Sequence, residues 1–291
     1  MKIERAKAYA LALSLCAPAF GALSLASCTT PSVFLEPIER ADRLAEAQGW
    51  RRADIAVPGF QLAAWELYRG GERLAVYIES DGHNWNTRYH PSPDPTPLYP
   101  RVLEMAAQDP TPNRLYLARP CQYLLSQAEL ARCSPEYWLE RRYAPEVIAG
   151  LNRAVDEGKR RSGARHVILV GYSGGGSLAV LVAARRTDVL QIVTVAANLD
   201  HQKWTNDHSV TPLHGSLNAI DAAAAVAAIP QTHFVGSNDR IVPRAITDTY
   251  MRRLGPPASA RTIEIAFDHT CCWSRDWGEL LRRYRVYDHP G

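Results

Sequence analysis

No stretch of this 291-residue chain combines a dense basic run with interleaved aromatics, and its 33 Lys and Arg are nearly balanced by 30 Asp and Glu. The formal net charge is only +3. Such a chain lacks the electrostatic footprint of a nucleic-acid binder. Arg141-Arg142 and Arg282-Arg283 read instead as solvated helix faces. Paired Cys-x-x-Cys ligands are missing, which argues against a zinc site, and no other metal or organic cofactor is expected. There is no internal repeat and no low-complexity segment. What remains is the composition of an ordinary folded chain, with one apolar run at its N-terminus.

That run is a targeting segment rather than part of the fold. Lys2, Arg5 and Lys7 form a positive start, and Ala8 to Leu25 is mostly apolar and small. Its length and flanks disfavour a spanning helix. It stops at Leu25-Ala26-Ser27-Cys28, which resembles the lipobox of bacterial lipoproteins. The resemblance implies a signal peptide over 1–27, cleavage before Cys28 and lipid attachment there, since secretory signals end at small residues. Residues 28–50 then read as a tether and an N-terminal helix. The implied location is a bacterial outer membrane, facing the periplasm, because Thr29 follows Cys28 in place of the aspartate that would retain the protein at the inner membrane. Removing the signal leaves about 264 residues, enough for one large domain over 51–291.

Six cysteines are few, but their use agrees with export. Cys16 lies in the signal and Cys28 is the proposed anchor. Cys121, Cys133, Cys271 and Cys272 remain, an even set that permits three connectivities in an oxidising compartment. Cys121–Cys133 closes a short loop and is the first choice. Cys271–Cys272 would then be a vicinal bridge, an uncommon arrangement.

Along the chain, 41–48 reads as a helix, 52–57 and 60–68 as strands joined at Pro58-Gly59, and 74–78 as a buried strand. Residues 81–100 form a long loop rich in Pro, Asn, His and aromatics. Helix 100–107, strand 114–118 and an irregular excursion over 119–142 follow. Helix 144–161 has Pro145 suited to its first turn and Gly163 at its stop. Strand 166–170, helix 177–185, strand 190–196, a loop over 198–218, strand 231–235, helix 244–254 and strand 262–266 complete the reading. Strands alternating with helices predict an α/β fold with a mostly parallel central sheet and helices on both faces. The segments 81–100, 119–142 and 198–218 would be lid-like insertions.

Chemistry concentrates where a strand meets a helix. Val167-Ile168-Leu169-Val170 runs into Gly171-Tyr172-Ser173-Gly174-Gly175-Gly176, a Gly-x-Ser-x-Gly pattern in strand–turn–helix context. A serine hydroxyl is a weak nucleophile unless a tight turn projects it toward a base, and such a turn needs neighbours without Cβ. A phosphate loop would want a Lys-Ser/Thr pair after its last glycine, and Ser177-Leu178 stands there instead. The base needs an orienting carboxylate. Asp239, in Gly236-Ser237-Asn238-Asp239-Arg240-Ile241-Val242-Pro243, follows one predicted strand. His269, in Phe267-Asp268-His269, follows the last. Asp200 is the rival acid, and Asp239 could instead cap the helix that begins near Pro243.

These segments look like those of the α/β-hydrolase serine hydrolases, in which nucleophile, acid and base follow in that order. Tyr77-Ile78-Glu79-Ser80-Asp81-Gly82-His83 and Arg119-Pro120-Cys121-Gln122-Tyr123 resemble segments of exported bacterial hydrolases of unassigned substrate. The resemblance implies the α/β-hydrolase fold and Ser173, Asp239 and His269 as a catalytic triad. It also implies an oxyanion hole made by the N–H of Gly174 and a second donor after the third strand. Asp81-Gly82 stands where many relatives carry His-Gly, and the second donor is expected at His83, with Gly82 as the alternative. Tyr172, Trp85 and Trp204 are candidate pocket walls, and Asp81 and Asp268 are expected to organise loops. The implied function is an exported serine esterase, without a cofactor, acting on a small-molecule or acyl substrate. An acyltransferase or peptidase would use the same residues, and a non-catalytic surface lipoprotein could keep the fold.

Overall fold

The computed structural model describes residues 36–288, apart from 88, 257 and 258. The predicted signal peptide and Cys28 lie outside the described residues. The core is an eight-stranded sheet. Its strands are β1 (Arg51–Arg52), β2 (Ala64–Leu67), β3 (Arg73–Ile78), β4 (Asn113–Leu117), β5 (His166–Tyr172), β6 (Val189–Val195), β7 (Gln231–Gly236) and β8 (Ala260–Ile265). They lie in the order β1-β2-β4-β3-β5-β6-β7-β8. Only the pairings of β2, with β1 and with β4, are antiparallel; every pairing from β4 to β8 is parallel.

Strand alternation divides the interior in two. On β3, Leu74, Val76 and Ile78 face one side, where they meet Leu115, Leu169, Ile148, Leu151 and Leu178. Ala75 and Tyr77 face the other, with Tyr116, Val170, Phe234, Leu103 and Trp277. Period-two alternation is what puts successive side chains on opposite faces of a sheet. Helices α1 (Pro37–Ala47) and α2 (Arg101–Gln108) carry residues of the second cluster. Helices α3 (Pro145–Ser162) and α4 (Gly174–Ala183) serve the first. The chain continues through α5 (His201–His208), α6 (Arg244–Leu254) and α7 (Trp273–Arg283). Pro145 opens α3 and Gly163 closes it with φ 71°.

Several elements differ from the sequence reading. The strand expected over 60–68 is two. Phe60–Leu62 pairs with Ile55–Val57 in a separate hairpin, and Ala64–Leu67 joins the sheet. The 198–218 segment is not all loop, since α5 forms within it. Helix α7 was not anticipated, although Trp273, Trp277, Leu280 and Leu281 are all buried at helical spacing. Of the other insertions, 81–100 holds a small hairpin, Trp85–Thr87 with His90–Pro91. The 119–142 stretch holds two short helical turns, Gln127–Leu130 and Pro135–Tyr137, and its Cys121 is bonded to Cys133. Cys271 and Cys272 are also paired. Among the described residues no helix is long and apolar enough to cross a membrane.

Candidate active site

Ser173, Asp239 and His269 sit at the C-terminal edge of the parallel strands, where open α/β sheets place their ligands. Ser173 lies between β5 and α4 with φ 52° and ψ −122°. A positive φ is costly for any residue with a Cβ and persists only where its surroundings enforce it. Here the Ser173 N–H donates to the Val195 carbonyl at 2.9 Å and the Ser173 carbonyl accepts from Gly176 N–H at 3.0 Å. The flanking glycines are required by close approach. A Cβ on Gly171 would fall onto the Gly175 carbonyl, and one on Gly175 onto the Ile78 carbonyl.

His269 follows β8, and its Nε2 lies 3.1 Å from Ser173 Oγ. Its Nδ1 lies 2.8 Å from Asp239 Oδ2, whose side chain is fully buried. Asp239 follows β7. Its second oxygen, Oδ1, accepts from the N–H groups of Ile241 and Val242, each at 2.8 Å. It therefore holds the turn before α6 and orients His269 at once, one oxygen for each. Asp200 is spent elsewhere. It caps α5 by accepting from Lys203 N–H at 3.2 Å and takes a hydrogen bond from Asn218 at 3.1 Å.

The His269 loop is itself fixed. Asp268 accepts from the N–H groups of Thr270 and Cys271, both at 2.7 Å, and the Cys271 and Thr270 donors hold its carboxyl below the usual range. The Tyr172 hydroxyl donates to the His269 carbonyl, and the two rings stand 5.6 Å apart. Tyr172 is thus a wall that also braces the imidazole loop. Burial pushes its phenol up, so it stays protonated.

The turn after β3 departs from expectation. The His83 N–H donates to the Pro95 carbonyl at 3.0 Å and its ring bonds Asn86 at 2.8 Å, so its donors are engaged away from Ser173. The Gly82 N–H donates to Ser80 Oγ at 3.2 Å, and the Ser80 N–H to the Glu79 carboxyl at 2.6 Å. That leaves the Asp81 N–H, which makes no hydrogen bond among the described residues. Asp81 abuts Gly174, where an added Cβ would strike its carboxylate. The Gly174 N–H opens α4, where first-turn donors have no partner within the helix.

Arg142 was expected on a solvated helix face, yet it is buried and pairs with Asp81 at 2.7 Å. Arg119 bonds the other Asp81 oxygen, and the Tyr143 hydroxyl donates to the same carboxylate at 3.3 Å. Burial alone would raise the Asp81 carboxyl. The two guanidiniums outweigh burial and hold it at about 2. Below the turn, Glu79 is buried against the Tyr116 hydroxyl at 2.7 Å, and burial raises its carboxyl.

These groups surround a cavity of about 670 Å³ with Ser173 and His269 in its wall. Trp85 and Trp204 line it, as does Tyr172. Trp85 is 41% exposed, whereas Trp204 is tied down by a 2.6 Å bond to the Ile241 carbonyl. Motif reasoning missed several polar lining residues, among them Arg101, Arg142 and Asn198. Asn198 Oδ1 is buried without a hydrogen-bond partner among the described residues. No group of three or more His, Cys, Asp or Glu side chains gathers as a metal site among the described residues.

No protein-family model matches the sequence, and no curated protein is recognisably similar to it. Solved structures are similar in fold. Est1E from Butyrivibrio proteoclasticus, in a structure with ferulic acid bound, has a TM-score of 0.58 at 11% identity, covering 80% of this chain and 98% of that one. The Pyrococcus furiosus esterase Pf2001 has a TM-score of 0.55 at 13% identity, covering 82% and 93%. The esterase domain of a Rhodothermus marinus protein has a TM-score of 0.53 at 16% identity, covering 81% and 98%. The chain thus has the α/β-hydrolase fold, with a serine, a histidine and an aspartate joined by hydrogen bonds at its strand ends.

Proposed function

We propose that this chain is an exported serine hydrolase that cleaves a carboxylic ester through an acyl-enzyme. The observation that carries the reading is the hydrogen-bonded line from Ser173 Oγ through His269 to Asp239, opening on a cavity of ligand size. His269 takes the hydroxyl proton as Ser173 Oγ attacks the ester carbonyl carbon. The Gly174 and Asp81 N–H groups receive the resulting oxyanion, each such donor being worth roughly 3 kcal/mol in the transition state. The intermediate collapses as His269 passes its proton to the departing alcohol. Water, deprotonated by His269, then attacks the acyl carbon, and Ser173 leaves with that proton restored.

The esterase fold neighbours support ester chemistry over other uses of the fold. Export and lipid attachment at Cys28 are part of the same proposal and rest on Leu25-Ala26-Ser27-Cys28. The test is covalent capture: a fluorophosphonate probe should label Ser173, and Ser173→Ala should abolish the labelling.

A further inference from the structure

The cavity wall holds a cation that the hydrolytic mechanism does not use. Arg101 is the first residue of α2 and lines the same cavity as Ser173. Its guanidinium lies over the Tyr99 ring at 5.5 Å, and among the described residues it has no carboxylate within ion-pair distance. Stacking on an aromatic face orients a guanidinium without neutralising it. Arg142, which also lines the cavity, is committed. Arg142 gives Nη1 to Asp81 and Nε to the Leu139 carbonyl at 2.5 Å. Asp81, the one acidic side chain in the lining among the described residues, is held by Arg119 and Arg142 together. Asp239 lies beneath His269 and is occupied by it. Among the described residues Arg101 is therefore a lining guanidinium with no carboxylate partner, and its donors meet no protein acceptor. Arg101 also acts on the phenol of Tyr172, the neighbour of the nucleophile, favouring its ionised form against burial and the charges of Glu79, Asp239 and Asp268.

We propose that Arg101 binds a carboxylate carried by the substrate, so that the preferred ester has a second, anionic group. The proposal rests on the serine-hydrolase reading and specifies the substrate class of that site. A guanidinium offers planar donors matched to a carboxylate, and a charge-assisted pair in a partly desolvated site discriminates strongly against a neutral isostere. The carboxylate can sit in the acyl half or the alcohol half, and two matched pairs of esters separate these cases. The first is mono-p-nitrophenyl adipate against p-nitrophenyl hexanoate. The second is 4-hexanoyloxybutanoate against butyl hexanoate.

The wild-type protein should favour the anionic member of one pair in kcat/KM. Arg101→Gln should lower that anionic-to-neutral ratio by about ten- to a hundredfold. Arg101→Lys, which keeps the charge but loses the fork, should restore part of it. Fluorophosphonate labelling of each variant verifies an intact site. Ratios unchanged by Arg101→Gln in both pairs, in a variant that still labels, would overturn the anion site while leaving the hydrolase reading standing. A wild-type protein that neither labels nor cleaves any of the four esters would refute the hydrolase reading, and the anion site with it.

Discussion

Asp239 shows how one side chain can satisfy two demands that looked like alternatives. Its Oδ1 holds the N–H groups that shape the turn and its Oδ2 holds His269. Asp239→Asn keeps an acceptor for the turn but presents an amide to Nδ1 and fixes the wrong tautomer. Ester turnover should fall by about four orders of magnitude with the fold retained, whereas Asp200→Asn, which touches only a helix cap and Asn218, should keep most of the activity. The reverse pattern in steady-state assays would mean that the acid is Asp200. Ser173, Asp239 and His269 were legible as candidates because each follows a strand, in the order that the α/β-hydrolase resemblance implies. Arg101 and Arg142 were not. A lone arginine has no spacing signature, and only the folded chain brings Arg142 to Asp81, 61 positions away. The turn after β3 was misread for a similar reason, since Pro95 and Ser80 decide which N–H groups remain for an oxyanion.

At the scale of elements, legibility followed hydrophobic pattern. The β5–turn–α4 unit and the capped α3 stood out. In contrast, α5, His-Gln-Lys-Trp-Thr-Asn-Asp-His, is too polar for periodicity to reveal, and it is held by the Asp200 cap instead. The parallel strands also bury titratable groups that set the response to acid. His233, on β7, lies between Thr194 Oγ1 at 2.8 Å and the Tyr250 ring at 5.4 Å, and burial lowers it to about 4 from 6.5. In the unfolded chain this imidazole takes up its proton first. Its contribution of about 3 kcal/mol is therefore complete above pH 6.5 and is lost as pH falls toward 4. The Asp81 clamp behaves in the same sense further down. Its carboxylate is held at about 2 against 3.8, so its contribution is lost only between those values. Urea midpoints measured against pH should fall from pH 6.5 to 4, and His233→Gln should flatten that segment of the curve. An equal slope in the variant would assign the acid response to other groups.

On the scale of the whole molecule, the sheet separates two apolar clusters and leaves its C-terminal edge for the site. The site thus rests on rigid strand ends, while the 81–100 and 198–218 segments contribute Trp85 and Trp204 to the cavity wall. If Cys28 carries the lipid, as the N-terminal sequence suggests, this arrangement would work tethered to a membrane. Stable anchoring needs more than one acyl chain. Cys28→Ser should therefore carry no acyl mass at that position and stay largely uncleaved, as intact-mass spectrometry would read. Wild-type protein found soluble, cut at another position and with no mass added at Cys28 would reduce the segment to an ordinary signal peptide.

The central claim is that Ser173 is a nucleophile activated by His269 and Asp239. Intact-mass and peptide mass spectrometry after exposure to a fluorophosphonate tests it most directly. The account requires one adduct per chain, located on Ser173, absent in Ser173→Ala and strongly slowed in His269→Ala. An adduct on another serine, or undiminished labelling of Ser173→Ala, would contradict it.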